Sequence, residues 1–500
     1  MSNVVPITVS ADPVDDPVRW LNELYPALVA RERRLRLLED YYSGKHPLPF
    51  LTESHTAKMR LEFSRLLNES KSNFMRLVCD AVEERLLIEG FRLSASSSQE
   101  ADQDTWAMWQ QNDMDSQSSI AILESLIKGQ SYLSVWGDGE NAEIAIEDAC
   151  QTIVGYEPGS NYRRRSAALK VWHDDLDNTI RANVYMPRGI YKFVANDGGT
   201  GAVKAIVTDT ADETTFEGSR TPGGSVRVDV AGAATDAPRW VELENQFVEN
   251  PLGVVPIIPL RNRPRLGIEG ESEISDVITI QNQINAFLFL LALAGYFGAH
   301  KQRWATGITI ATNAQTGKPE ELLSGVDTLW QNENPEGKFG EFSQTDLAGY
   351  IKAIEQKVLH IAVTTRTPRH YLIEQGQSPS GDAIKSAESG LVSKVTRKMR
   401  PFGEAFEETL RLARRFAGQP ESPPDSEVVW ADPELRSEAE VVDAAVKKMQ
   451  IGLIDRWQAL EDIGYTQTQI ERMRNEPPPV PPAAPTPPPG GGNPEGDNPQ

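Results

Sequence analysis

The sequence predicts an α+β protein, and three observations carry that reading. Apolar residues recur at helical spacing from Trp20 to Gly129, alternation and turn chemistry take over from Tyr132 to about Pro259, and long helical patterns return between Ser275 and Ala417. A repeat near 3.6 positions marks a helix with one buried face, whereas strict alternation marks a half-buried strand.

Leu21, Leu24, Leu28, Leu35 and Leu38 define the first helix, with Gly44 and Pro47 as stop signals. Phe74, Leu77, Val78, Ala81, Val82 and Leu86 form the stripe of a second, for which Gly90 is the expected C-cap. A third runs to Gly129; its Trp106 and Trp109, three apart, read as core. Beyond it, "TIRANVYM" alternates Ile180, Ala182, Val184 and Met186 with polar partners, and "SVRVDV" alternates Val226, Val228 and Val230. "NDGGTG" and "TPGGS" are turn chemistry, so a β-meander is expected. Prolines between Pro251 and Pro259 suit an edge strand or an extended crossing.

A strut helix follows, entered at Ser275 or Asp276. Val277, Ile280, Ile284, Phe287, Leu291 and Ala294 make one seam, and Ser275 to His300 spans about 39 Å at 1.5 Å per residue. Ala286 to Ala299 carries no charge, yet falls short of the roughly 20 apolar residues that cross a bilayer. Phe287, Leu288, Phe289, Leu290, Leu291, Leu293, Tyr296 and Phe297 point all round the helix, so something must cover it on several sides. Residues 301–345 look small and mixed, with "RWATGITI" strand-like and "NENPEGKFGE" turn-like. A helix resumes at Asp346, and "RTPRHYLIEQGQSPSG" reads as an irregular loop. The last long helix aligns Ile384, Leu391, Val395, Met399, Phe402, Phe406, Leu410 and Ala413, with a bend expected at Pro401. After a Pro/Ser linker near 420, residues 433–474 read as a small helical unit. The stretches 1–16 and 476–500 read as disordered, the latter holding eleven prolines.

Composition excludes several classes. The net charge is −22, from 72 acidic against 50 basic residues, which is the wrong balance for gripping nucleic acid by phosphate neutralisation. The N-terminal stretch lacks a basic region followed by an apolar one, so a cytosolic chain is expected. Cys79 and Cys150 have no metal-ligand spacing and read as buried thiols. There is no phosphate-cradling loop, no H-E-x-x-H, and the six histidines are scattered. No catalytic residue, metal site or cofactor is expected. Asp175 and Asp177 read as a turn. Arg163, Arg164 and Arg165 read as a solvated edge; Arg261, Arg263 and Arg265 leave open a partner-facing or phosphate-facing role.

The ordered phrases "LEDYYSGKHPLPF", "NFMRLVCDAVEERLLIEGF", "GQSYLSVW", "VVPIIPLRNRP", "GESEISDVITIQNQIN", "QRWATGI", "TTRTPRHYL" and "SGDAIKSAESGLVSKVTRK" resemble those of portal proteins of tailed bacteriophages, of the long-tailed, actinobacterial-phage type. The resemblance covers residues 20 to about 417. It implies an elongated subunit with a β-rich wing (17–260), a linker and first stem helix (261–300), a small α/β clip (301–345) and a second stem helix (346–365). A tunnel loop (366–380), a long bent wing helix (381–417) and a linker with helical crown (418–475) complete it. It implies a homo-oligomeric ring of about twelve subunits at a capsid vertex, through which double-stranded DNA passes without sequence specificity. The implied partners are the terminase large subunit, a head-completion or adaptor protein, and the major capsid and scaffolding proteins. The implied location is the virion, with assembly in the host cytoplasm.

By the same resemblance Arg366, Arg369, His370, Glu374, Gln375 and Ser378 belong to the tunnel loop, and Ile284, Phe287, Leu291 and Phe297 to the stem interface. Arg303, Asn332 and Lys338 belong to the motor-facing clip. Two competing readings are a peripheral membrane protein using 286–299 as an interfacial helix, and a metal-dependent hydrolase built on Asp175 and Asp177. An interfacial helix needs a polar face, and this one has none.

Overall fold

The computed structural model describes residues 16–46, 65–66, 68–92, 103–137, 139–196, 240–243, 246–267, 270–299, 303–307, 336–341, 347–373, 381–420, 426–434, 438–465 and 467–475. The regions read as disordered, 1–15 and 476–500, lie outside them, as do "SVRVDV" and the two glycine-rich turns. Two compact units divide the chain, Met1–Leu435 and Arg436–Gln500.

In the first unit, α1 (Pro17–Ser43) begins where the Asp16 carboxylate accepts from the amides of Val18 and Arg19, so the last residue of the stretch read as disordered is a helix cap. All five predicted leucines are buried. Leu21, Leu24 and Leu28 cover one face of an antiparallel sheet, where Ile153, Ala167, Leu169, Ala182, Val184, Met186 and Phe193 pack beneath them. That sheet is the expected meander: β4 (Thr152–Tyr156), β5 (Arg165–Asp174), β6 (Thr179–Tyr185) and β7 (Gly189–Asn196), with β8 (Val241–Glu242) and β9 (Val248–Glu249) on β7. Leu169 opposes Val184, and Ala182 opposes Phe193, so alternation puts each cross-strand pair on the covered face.

The larger core lies under α2 (Met75–Glu83), α3 (Gln103–Gln111) and α4 (Met114–Lys128). Gly90 is not a cap: it sits in β1 (Ile88–Arg92). The third predicted helix breaks in two at Asp113, whose φ is 52°. Asn112 explains the break, because its amide donates to Met108 O and Ala142 O and accepts from Ile144 N at 2.8 Å, pinning the helix end to β3 (Ala142–Glu147). β3 pairs with β2 (Gln130–Gly137), and β2 with β10 (Ile257–Arg261) at the sheet edge, where Pro259 is tolerated. At the end of α4 a Cβ on Gly270 would lie 2.0 Å from Gly129 O; only two glycines permit this approach.

α5 (Ile278–Ala299) is the strut, starting two to three residues later than expected. Its 22 residues carry no charge, so the charge-free run is longer than 286–299 and length alone does not exclude a membrane span. It packs against α6 (Ala348–Thr365). Between them β11 (Arg303–Thr306) pairs antiparallel with β12 (Lys338–Glu341), a strand inside the segment read as turn. α7 (Arg369–Leu372) likewise occupies part of the expected irregular loop.

α8 (Gly381–Phe416) runs through Pro401 for 36 residues. Its predicted face is buried at Leu391, Val395, Phe402, Phe406, Leu410 and Ala413. An unanticipated strand, β13 (Glu427–Trp430), pairs with β1 beside it. Both cysteines are buried free thiols. The second unit holds α9 (Glu438–Gln450), α10 (Arg456–Ile463), capped by Asp455, and α11 (Gln467–Asn475).

The Phe406 ring meets Trp109 edge-on at 5.6 Å and Trp430 edge-on at 6.5 Å, with no exposed surface. Phe406→Ala is expected to cost about 3–5 kcal/mol, read as a lower denaturant midpoint for the first unit; a loss under about 1 kcal/mol would contradict this packing.

Candidate functional site

The root of α5 is held by amides. Gln281 and Asn285 are fully buried. Gln281 accepts from Phe74 N at 3.0 Å and donates to Ser72 O at 2.7 Å, while Asn285 accepts from Ser72 N at 3.0 Å. Asn282 accepts from the Tyr41 hydroxyl at 2.9 Å. Asn285 Nδ2 lies 2.8 Å from Nε2 of His46, whose ring stacks on Tyr41 at 4.7 Å. Burial, then nearby Lys71, pushes the His46 pKa down to about 4, so the neutral ring accepts the Asn285 amide near pH 7. Gln281, Asn282 and Asn285 thus clamp the first two turns to the C-terminal end of α1 and the chain before α2.

Past Asn285 the clamp stops and apolar surface begins. Ile284 is buried, but Phe287, Leu288, Phe289 and Leu291 are only half-buried and Leu290 is 40% exposed. Only 22% of Ile278–Gly295 is buried within the chain. Phe297 lies in the helix, with its side chain outside the described residues. On α6, Ile351 (49%) and Val363 (72%) are also open.

A second node fixes both struts to α8. Glu273, just ahead of α5, is 3% exposed at its side chain and pairs with Lys394 at 2.8 Å and with Lys398 at closer range. Lys398 also donates to Asn262, whose amide donates to Glu273 at 3.1 Å. Lys394 donates in addition to the carbonyl of Thr365, the last residue of α6, at 2.8 Å. Burial alone would raise the Glu273 pKa, but the ammoniums of Lys398 and Lys394 outweigh it and hold the carboxyl at about 2. Lys398 moves down, to about 8, because burial and the neighbouring Lys394 oppose its charge while two cations share one carboxylate.

The third node lies where the chain leaves α6. Arg366 takes the left-handed conformation (φ 56°) and is exposed, as is Arg369 on α7. His370 Nε2 is 3.4 Å from Glu388, a buried carboxylate of α8. Glu374, Gln375 and Ser378 lie outside the described residues. Lys338 is exposed on β12; Arg303 opposes Glu341 in the hairpin, and Asn332 lies outside the described residues. Of the Arg261, Arg263 and Arg265 series, Arg261 is half-buried while Arg263 and Arg265 are exposed. Arg261 donates to the Tyr156 hydroxyl at 2.6 Å, Arg263 lies 3.7 Å from Asp276, and Arg265 pairs with Glu271 at 3.1 Å. Asp175 and Asp177 sit in the β5–β6 turn and face His173 and Arg181.

Glu273→Gln leaves two ammoniums with no anion and is expected to destabilise the first unit by about 3–5 kcal/mol. The lowered Glu273 pKa adds stability that is complete above the ordinary value of 4.5 and is lost as pH falls towards about 2. An acid denaturation limb in that window, shallower in the Gln variant, checks this by circular dichroism; identical limbs would contradict it.

Residues 26–477 match the family described as Phage portal protein, SPP1 Gp6-like. The portal protein of Mycobacterium phage D29 is 30% identical over 485 residues, spanning 92% of this chain and 88% of that protein. The portal protein of Mycobacterium phage L5 is 29% identical over 491 residues, spanning 92% and 90%. A chain from the neck of a native GTA particle computed with C12 symmetry aligns with 83% of this chain and 95% of its own length, at 11% identity and a TM-score of 0.38. The assignment rests on the sequence relationships alone: this chain belongs to the phage portal protein family of the SPP1 Gp6-like type.

Proposed function

We propose that the chain closes into a ring of roughly twelve copies at a capsid vertex and serves as the conduit for double-stranded DNA during packaging and release. The observation that carries this is α5, a helix with a rigidly clamped root and an apolar shaft few of whose residues the chain buries fully. Each large apolar side chain left wet costs about 1.5–3 kcal/mol. In a ring, neighbours on both sides cover such a shaft without lipid.

The alternative of a membrane-bound helix is disfavoured by the clamp. Gln281 and Asn285 donate to and accept from the chain's own backbone and His46, so the root cannot leave the core without stranding buried polar groups. The excess of acidic residues, net −22, suits a passage whose walls do not hold a polyanion. In this reading 17–260 is wing, α5 and α6 are stem, 301–345 is clip, 366–380 is tunnel loop, α8 is the wing helix and α9–α11 are crown. The clip, with Lys338 at its surface, receives the terminase large subunit and later a head-completion protein; the wing meets major capsid and scaffolding proteins. Assembly takes place in the host cytoplasm and the ring stays in the virion. The role is mechanical, without catalysis by this chain.

Leu291→Asp places an unpaired charge in the stem interface and is expected to abolish rings in negative-stain images while leaving a folded subunit; intact rings would contradict the stem assignment. Arg366→Ala with Arg369→Ala is expected to leave rings intact and alter the amount of DNA packaged; wild-type packaging would contradict the loop assignment.

A further inference from the structure

α7 hangs between the end of α6 and the segment 374–380, and none of its four residues is fully buried. Tyr371, Leu372 and Ile373 rest only part of their surface on the core. Apolar burial therefore holds this segment weakly, and its position depends on polar contacts. Those contacts converge on Glu388. The Tyr371 hydroxyl donates to Glu388 Oε1 at 3.1 Å and accepts from Arg85 Nη2 at 2.6 Å. Arg85 Nη2 itself lies 3.3 Å from Glu388 Oε2, with both side chains 10% exposed or less. Arg85 Nη1 donates to Pro433 O at 2.8 Å, which anchors the guanidinium from the far side. His370 Nε2 adds a third contact to Glu388, at 3.4 Å.

Arg85, Tyr371 and Glu388 come from three separate parts of the chain and form a closed triangle. A cleft of about 240 Å³ opens beside Glu388, lined by Lys385, Ser389, Val392, Ser393 and Glu434. Glu388 itself stays 3% exposed beside this cleft, so the contact is a buried polar latch.

We propose that Arg85 and Glu388 are positioning residues: through Tyr371 they latch α7 to α8, and so set where the segment 366–373 stands. The significance for DNA passage rests on reading the loop 366–380 as the lining of the channel; the latch itself does not. Hydrogen bonds to charged groups, buried at low dielectric, are strong when made and are lost together when one partner leaves. α8 therefore carries both anchors of this corner, Lys394 to the end of α6 and Glu388 to α7.

Hydrogen exchange in assembled full-length rings tests this. In the double variant Arg85→Met with Glu388→Met, which leaves no unpaired buried charge, amides of 369–373 are expected to exchange about tenfold faster or more, while 391–413 exchanges as in the wild type. Tyr371→Phe, which retains the Arg85–Glu388 pair, is expected to give a smaller local increase and provides a second readout if the double variant fails to fold. Unchanged exchange at 369–373 in a folded variant would overturn the latch, whatever happens to packaging. Faster exchange in rings that package normally would uphold the latch and remove the channel reading of the loop.

Discussion

One constraint organises the structure: α5 presents partly open apolar surface on several sides, and among the described elements α6 and a clamped root are what chiefly cover it. An exposed apolar patch of this extent marks an interface. A helix without charge would ordinarily slide or rotate to bury its best face. This one cannot, because Gln281, Asn282 and Asn285 fix its angle and register at the base. Polar bonds set the direction, and apolar surface demands a neighbour. On the proposed reading, together they make the shaft a preformed half of a subunit contact.

The buried ions serve the same end. Glu273 and Glu388 are each nearly sealed from water, and each joins α8 to a strut or to the segment leaving it. A buried ion pair is a poor source of net stability, because desolvation offsets most of the attraction, but breaking one is costly. Such pairs define geometry more than they add cohesion. In the proposed ring, where each subunit presents two helices and a loop at set positions to identical neighbours, geometry is the property required. Apolar packing supplies the cohesion instead, around Trp109, Phe402 and Phe406.

Much of the fold is legible in the sequence because it follows from period. Alternation at Ile180, Ala182, Val184 and Met186 marks the covered face of the meander, and the leucines of α1 mark what covers it. Pro259 marks a strand with one free edge, as found. The breaks were less visible. Asn112 ends a helix because its amide finds β3 thirty residues on, and Gly90 has the spacing of a cap but the partner of a strand. The two anchoring nodes were not legible at all. Gln281 and Asn285 look like the wet side of an amphipathic helix, and Glu388, Lys394 and Lys398 look like ordinary surface charges until Arg85, Glu273 and Thr365 arrive from distant segments. Local spacing does not encode contacts made across hundreds of residues. Of the arginines at 261, 263 and 265, whose alternation suggests an outward face, Arg261 turns to Tyr156 while Arg263 and Arg265 remain exposed.

The central claim is that copies of this chain cover α5. The most direct measurement is the solution mass of the purified wild-type chain under assembly conditions, by light scattering, with thiol labelling at a Leu290→Cys position. The account predicts a closed ring of many times 55.3 kDa in which position 290 is protected. A stable 55.3 kDa monomer that protects position 290 equally well would contradict it.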